Sequence, residues 1–451
     1  MLLCAEHILP ITGEPLRDGA VLVRDNKIAD IGSAELFKLK YPEDEVHDFG
    51  NAALMPGFVN LNAHAGSAVL RGIVHDVPYT TWLLSYYRKV NAMDDADWRE
   101  SALLGALENV CGGITTVADI ATSGEECKAL AKAGLRGVVY REVGALDKQR
   151  VARNISLAEA DIEEWGEAVA GSCLTVGVSP ASPYRCHPSV YREVSRLARR
   201  KNLPVAMQLA AGYEEFDFLR QGAVPQAVFE SGEGFHRTND SLWMPTGTTP
   251  INYALNWDAF ESDNILALHC VCVDDIDVAK LKEYDIAVAV CSRVNAQLAM
   301  GVAPIDEYLR AGLRLGLGTD SPAAVDSTDM MAEMRIGMLV QRSVHTKRFL
   351  DSGKMLEMAT MGGARALRME DKIGSLEVGK LADIIAIDLS GSHQTPMTDP
   401  VAAVVNSCGS NDVLMTMVNG TILYENNQWR DPEEVARNVA HVIAIRNRLR
   451  D

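Results

Sequence analysis

No two cysteines of this chain form a CxxC pair, and the nine present, at 4, 111, 127, 173, 186, 270, 272, 291 and 408, are an odd number scattered along the length. That pattern excludes a zinc ribbon and argues against a disulfide framework, so the thiols read as reduced, most of them buried as small hydrophobes. Nor is there any run of about 18 apolar residues, which a membrane-spanning helix needs. The opening stretch MLLCAEHILPITGEPLRDG has no Lys or Arg ahead of its apolar residues, and Glu6 with His7 interrupts them. No signal peptide is expected, and the cytoplasm is the expected compartment. Internal repeats and low-complexity segments are lacking too. Basic residues are in deficit: Lys+Arg number 43 against 61 Asp+Glu, a net charge of -18 with histidine neutral. Such a surface repels phosphate backbones and anionic headgroups, so nucleic acid and membranes are disfavoured as partners, and neutral or cationic small molecules are favoured.

What is present is ample apolar material, 47% hydrophobic against 23% charged residues in 451, enough for a large core. Up to about residue 51, short apolar runs such as Ala20-Val21-Leu22-Val23 and Ile28-Ala29-Asp30-Ile31 flank an Asp25-Asn26 turn, the pattern of antiparallel strands. The same texture returns at 382–388 and 413–423. Residues 1–54 and 366–451 are therefore expected to form one composite β-sandwich domain, closed by a helix that opens at Asp431-Pro432-Glu433-Glu434 with a cap, an N1 proline and an acidic first turn. Between them, from about residue 52 to 365, with the barrel domain set at 55–365, eight apolar runs alternate with stretches of helical period. They are Ala53–Leu61, Ile114–Ile120, Gly137–Val143, Leu174–Pro180, Val205–Leu209, Ile265–His269, Ile286–Cys291 and Leu313–Asp320. Eight β-then-α units predict a (β/α)8 TIM barrel with its active site at the C-terminal strand ends.

Those ends carry Asn62 and His64, Gln208, His269, Cys291 and Asp320. Any one alone reads as a strand-end polar residue satisfied by its loop. Together at one mouth they could hold a metal or run acid–base chemistry. Cys270, Cys272 or Cys291 could serve as a nucleophile facing His269, although strand alternation turns Cys270 away from a neighbour that points inward. Buried structural thiols are the plainer reading. His75 reads as a loop residue.

The stretch Met55-Pro-Gly-Phe-Val-Asn-Leu-Asn-Ala-His64 resembles the PGxxNxHxH opening of the amidohydrolase superfamily. Further similar segments are Leu70-Arg71-Gly72 to Trp82-Leu83, Ala267 to Val271, Cys291 through Asn295 to Gly301, Gly316 to Ser321 and on to Met330, Gly362 to Leu367, and Gly374 to Asp383. The likeness spans the chain and is strongest to the single-metal branch of triazine chlorohydrolases, guanine deaminase and methylthioadenosine or S-adenosylhomocysteine deaminases. It implies four metal ligands, at whose positions stand Asn62, His64, Gln208 and Asp320, so two histidines have become amides. It also implies an acid–base glutamate three residues after Gln208, where this chain has Ala211. Further histidines of the branch are replaced by Ala181, Cys272 and Val290.

Zinc prefers imidazole, thiolate and carboxylate, and neutral amides bring no charge to offset desolvation. No tightly held metal is therefore expected and no cofactor is firmly implied. The candidate ligands for a divalent zinc or iron are His64, Asp320, His269, Asn62 and Gln208, of which His64, His269 and Asp320 make a two-histidine, one-carboxylate set of the iron(II) kind. The expected function is hydrolysis of a carbon–nitrogen bond, of deamination type, in a small heterocyclic or nucleoside-like amine. Asp320, His269 and His64 are its expected catalytic residues, and Asn62, Gln208, Trp82, Cys272 and Ser321 line the substrate. The alternative is a catalytically silent homologue that binds a small molecule or plays a structural part. A homo-oligomer is expected in either case. A buried carboxylate at 320 without a metal needs a proton or a cationic partner.

Overall fold

The computed structural model describes residues 1–222, 245–344 and 349–450. Eight parallel strands, β6 (Phe58–Ala63), β7 (Ile114–Ala121), β8 (Arg136–Val143), β9 (Leu174–Pro180), β10 (Val205–Leu209), β11 (Ile265–His269), β12 (Ala287–Val290) and β13 (Leu315–Leu317), pair in chain order. The turn is completed between the last and the first strand, where the Asp320 amide donates to the Asn62 carbonyl at 2.8 Å. Gly318 permits that approach, since a Cβ there would lie 2.7 Å from the Asn62 backbone nitrogen. The result is the TIM barrel that the eight alternating units predict. The helix expected over 188–201 forms as Ser189–Lys201, with Val190, Val194, Leu197 and Ala198 buried on one face. No helix among the described residues is long and apolar enough to cross a membrane.

A separate, mostly antiparallel sheet of nine strands joins both chain ends. Its order is β17 (Gln428–Trp429), β16 (Thr421–Glu425), β15 (Val413–Val418), β14 (Ile384–Asp388), β5 (Ala52–Pro56), β1 (Leu2–Ile8), β2 (Leu16–Arg24) and β3 (Lys27–Ser33), with β4 (Val46–Asp48) beside β1. The Asp25-Asn26 turn sits between β2 and β3, Asp25 taking a left-handed φ of 52°. The closing helix runs Pro432–Arg450, and Asp431 Oδ1 caps it by accepting from the Glu434 amide at 2.9 Å.

One expectation is corrected here. The apolar run 53–61 is two strands, because the chain passes from one sheet to the other at Gly57. β5 pairs with β1 and β14, whereas β6 pairs with β7. A side chain at 57 could not be housed, as its Cβ would lie 2.2 Å from the Thr115 side chain. The sheets are also joined by a buried ion pair: Arg136, opening β8, donates from Nε and Nη2 to Asp383 at 2.5 and 3.0 Å. Asp383 in turn accepts from the Asn419 amide at 2.7 Å, so this buried charge is both paired and hydrogen-bonded.

Candidate functional site

The ends of β6, β11, β12 and β13 bring Asn62, His269, Cys291 and Asp320 together. His269 is 3% exposed and Asp320 8%, and the ring Nε2 lies 3.2 Å from Asp320 Oδ2. Asn62 Nδ2 donates to the same Oδ2 at 3.0 Å and approaches Cys291 Sγ at 3.5 Å. The other carboxylate oxygen accepts from the Ser321 amide. The far ring nitrogen, His269 Nδ1, lies 3.1 Å from Asn295 Oδ1. With Asn295 Oδ1 as acceptor, Nδ1 carries a proton and the ring's orientation is fixed from behind.

Burial disfavours the charged forms of both groups, but each outweighs that penalty for the other. For His269 the Asp320 hydrogen bond and charge, with Asn295 behind, leave the imidazole raised. For Asp320 the His269 hydrogen bond and charge lead the opposing effects and hold the carboxyl at about 2. The group that faces the buried Asp320 carboxyl and offsets its burial is His269, at 3.2 Å. His64, half-buried one strand away, lowers Asp320 further by its charge.

The backbone at these ends is unusual. Ala210, His269, Cys270 and Asp320 all take left-handed φ values, of 51°, 71°, 46° and 65°. Around His269 the Cys270 amide donates back to the Leu268 carbonyl at 3.1 Å, closing a tight three-residue turn. Each such non-glycine residue costs roughly 1–3 kcal/mol and persists only where its surroundings impose it. The turns aim His269 and Asp320 at one another across the mouth.

Other residues singled out in the sequence lie elsewhere or are already engaged. The Gln208 amide donates to Tyr79 Oη at 3.0 Å. Ser321 caps the short helix Pro322–Val325 by accepting from the Ala323 amide at 3.2 Å, and its hydroxyl lies 2.6 Å from Ser67 Oγ. Trp82 is buried in the helix Tyr79–Val90, with its indole N–H on the Ala323 carbonyl at 3.2 Å. Cys272 packs, half-buried, against the large apolar cluster around the barrel, and burial first of all lifts its thiol to about 12. Cys270 is wholly buried in that cluster, as strand alternation implies. His75 pairs with Asp326 in a loop, at 3.0 Å.

Three polar groups of the mouth were given no role beforehand, although Asn295 lies in one of the segments that carry the resemblance. Asn295 comes from the short helix Ser292–Gln297 after β12. Glu215, in the helix Tyr213–Gln221, accepts from the Ala210 and Ala211 amides at 2.6 and 3.2 Å, while burial raises its carboxyl to about 7. Asp119, on β7, accepts from the Ala65 amide at 2.8 Å and is lifted by burial to about 6.

An amidohydrolase family model matches residues 53–423. Over 426 residues the chain is 31% identical to a 5-methylthioadenosine/S-adenosylhomocysteine deaminase of Pelotomaculum thermopropionicum, covering 93% of this chain and 91% of that protein. Among solved structures it resembles an adenosine deaminase from Xanthomonas campestris with bound zinc, at a TM-score of 0.85 and 23% identity, covering 100% and 98% of the two chains. An atrazine chlorohydrolase from Arthrobacter aurescens complexed with zinc superposes with a TM-score of 0.83 at 22% identity, over 99% of each chain. Barrel, terminal sheet, family model and sequence relatives agree, and the chain belongs to the amidohydrolase family.

Proposed function

We propose that this chain hydrolyses a carbon–nitrogen bond in an amino-substituted heterocycle or nucleoside-like amine, and that it does so from the His269–Asp320 pair. The observation that carries the reading is that pair: buried, 3.2 Å apart, and held by left-handed backbone on both sides. The deaminase names of its sequence relatives support the reaction class. The positions that the family resemblance assigns to four zinc ligands do not fit a zinc ion. Asn62 turns its NH2 group toward Asp320, and Gln208 is spent on Tyr79.

Hydrolytic deamination adds water to the ring carbon and releases ammonia, so a C–O bond forms as the C–N bond breaks. One group must take a proton from water and another must protonate the substrate. The His269 imidazolium polarises a ring nitrogen and passes its proton to it. As that proton leaves, Asp320 loses the cation that holds its carboxyl down and becomes the stronger base, able to receive the proton of the attacking water and pass it to the amino nitrogen that departs as ammonia, while the hydroxyl proton of the adduct returns to His269. His64 and Asn62 hold the water or the substrate's polar edge. A carboxylate-rich mouth on a chain of net charge -18 favours neutral and cationic amines over anions.

A second reading, binding without turnover, is favoured by one observation. Ala211 stands where the branch places its acid–base glutamate, and both oxygens of nearby Glu215 are taken by backbone amides. Ammonia release from a panel of aminopurine nucleosides and aminotriazines, using chelator-treated protein, tests both. The expected outcome is product from at least one amine, lowered at least ~100-fold in Asp320→Asn. Thermal stabilisation by those compounds with no ammonia from any would establish the silent binder instead.

A further inference from the structure

Across the mouth from the reacting pair stands a second pair of opposite charges, which the proposed reaction does not use. In the closed ring of eight strands, β8 and β9 lie four places from β12 and β13, on the far side. On β8, Val138 and Tyr140 belong to the apolar cluster that fills the barrel together with Leu61, Leu266 and Leu268. Alternation carries Glu142, two residues on, into the same lumen one layer higher, at the mouth. Arg185 ends the turn Pro183–Arg185 just after β9, and its Nη1 donates to Glu142 Oε2 at 2.9 Å. We propose that Arg185 and Glu142 form a specificity subsite that recognises a neutral substrate edge in which an N–H adjoins a C=O, as in a lactam or a ureido group. The inference rests on the proposed function for the amine end of the substrate and adds the chemistry of its far edge.

The pair is held so that one side of it stays open. The guanidinium lies 4.3 Å from the centroid of the Tyr87 ring. Tyr87 is met edge-on by Tyr86, which stacks in turn on Trp82 at 5.2 Å. This aromatic wall occupies one face of the planar fork, and the salt bridge fixes its rotation. The side chains of Arg185 and Glu142 nonetheless remain 34% and 24% exposed. Among the described residues, Arg185 Nε and Nη2 and Glu142 Oε1 take no hydrogen-bond partner. Unused donors and an unused acceptor thus stand side by side.

Their charges decide what they accept. An anion drawn to Arg185 meets the Glu142 carboxylate, and a cation drawn to Glu142 meets the guanidinium. A neutral edge that gives its carbonyl to the one and its N–H to the other satisfies both. Hydrogen bonds to charged groups discriminate more strongly than those between neutral ones, and a site built on them rejects an analogue that leaves them unpaired. The interior of an eight-stranded barrel has room for one small ligand, so the amine facing His269 and Asp320 and the edge facing Arg185 and Glu142 belong to a single molecule.

Calorimetric binding to the full-length protein tests this with two matched pairs of probes, cytosine against 4-aminopyrimidine and isoguanosine against adenosine. Within each pair the amine is kept, and the first member adds the N–H and C=O edge. In at least one pair the first member should bind ~10-fold tighter or better. Arg185→Gln and Glu142→Gln should each bring it down to the affinity of its partner. Arg185→Lys keeps the salt bridge without the planar fork, so it should melt like the parent and still lose the preference, which keeps the test valid if Arg185→Gln misfolds. Equal binding within both pairs, no binding by either pair, or a preference that survives Arg185→Lys overturns the assignment. It is overturned too if 4-aminobenzoate outbinds both oxo compounds and gains further in Glu142→Gln, since the pair is then an anion site. Variants that lower the melting temperature and leave the preference intact reduce the pair to a structural tie. No readout depends on turnover. A preference of the expected kind without ammonia from any amine sinks the proposed reaction alone, and ammonia release indifferent to both substitutions sinks the subsite alone.

Discussion

The two sides of the barrel mouth have been treated differently by this sequence. Over β11 to β13 and β6, polar groups stand in contact, with His269, Asp320, Asn62, Cys291 and Asn295 joined within one buried cluster. Over β9 and β10, the positions that the family resemblance marks as polar are Ala181 and Ala211, both buried, and the one surviving polar residue, Gln208, has turned to Tyr79. The backbone repeats the contrast only in part. Left-handed turns end β10 as well as β11 and β13, yet on β10 the turn falls on Ala210 and presents no functional side chain. The geometry of a site can thus outlast the groups it once aimed.

Substitutions on each side test whether the asymmetry is energetic as well as chemical. The largest effect is expected from His269→Gln, which strands the Asp320 carboxylate without its cation. Breaking one partner out of a buried pair costs about 3–5 kcal/mol, to be read by denaturant unfolding at pH 7. A loss under ~1 kcal/mol would mean that Asp320 does not depend on His269.

A smaller effect concerns pH. Burial raises the carboxyls of Glu215 to about 7 and of Glu333 to about 8. A carboxyl whose folded pKa lies above its unfolded value near 4.3 adds stability that is complete below that value and is lost as pH climbs through the folded one. Melting temperature should therefore fall between pH 5 and 8, and Glu215→Gln should flatten part of the slope. The Asp320 contribution has the opposite sign and a different window: its stability is present above the unfolded value near 3.9 and goes only as pH falls toward about 2. A melting temperature that rises from pH 5 to 8 contradicts the burial of these acids. The smallest effect belongs to Gln208→Leu. It removes one neutral hydrogen bond to Tyr79, worth about 0.5–1.5 kcal/mol, and if it matches His269→Gln the contrast between the two sides disappears.

How much of this could be read from the sequence follows the range of each interaction. Apolar runs ending in a polar residue located His269 and Asp320, because a barrel strand's last side chain is fixed by local geometry and the convergence of strands by architecture. The division of 53–61 at Gly57 was missed although Pro56-Gly57 breaks the run there, since the residue types give no sign of which sheet each half joins. Asn295 and Glu215 were missed for another reason. Each sits on a helix after its strand and reaches the mouth only through the turns at residues 210 and 269, which no residue-type pattern announces. Nor do the two amides announce their partners: Asn62 bonds to Asp320 within the mouth, whereas Gln208 found Tyr79, a partner 129 residues away.

The pairing of β5 with β14 has a consequence for how the chain is made. Ala53 opposes Ile387, and Met55 opposes Ile385, so the terminal sheet stays unfinished until the last fifth of the chain is available. At ~5–20 residues per second, synthesis leaves the β5 edge without that neighbour for roughly 16 s to a minute. During that interval the nascent protein carries an open, apolar strand edge of Ala, Ala, Leu, Met and Pro, and the proline, which cannot donate to a ladder, is the only feature in it that discourages pairing with another chain. For this protein, the hazard of aggregation belongs to the half-built molecule.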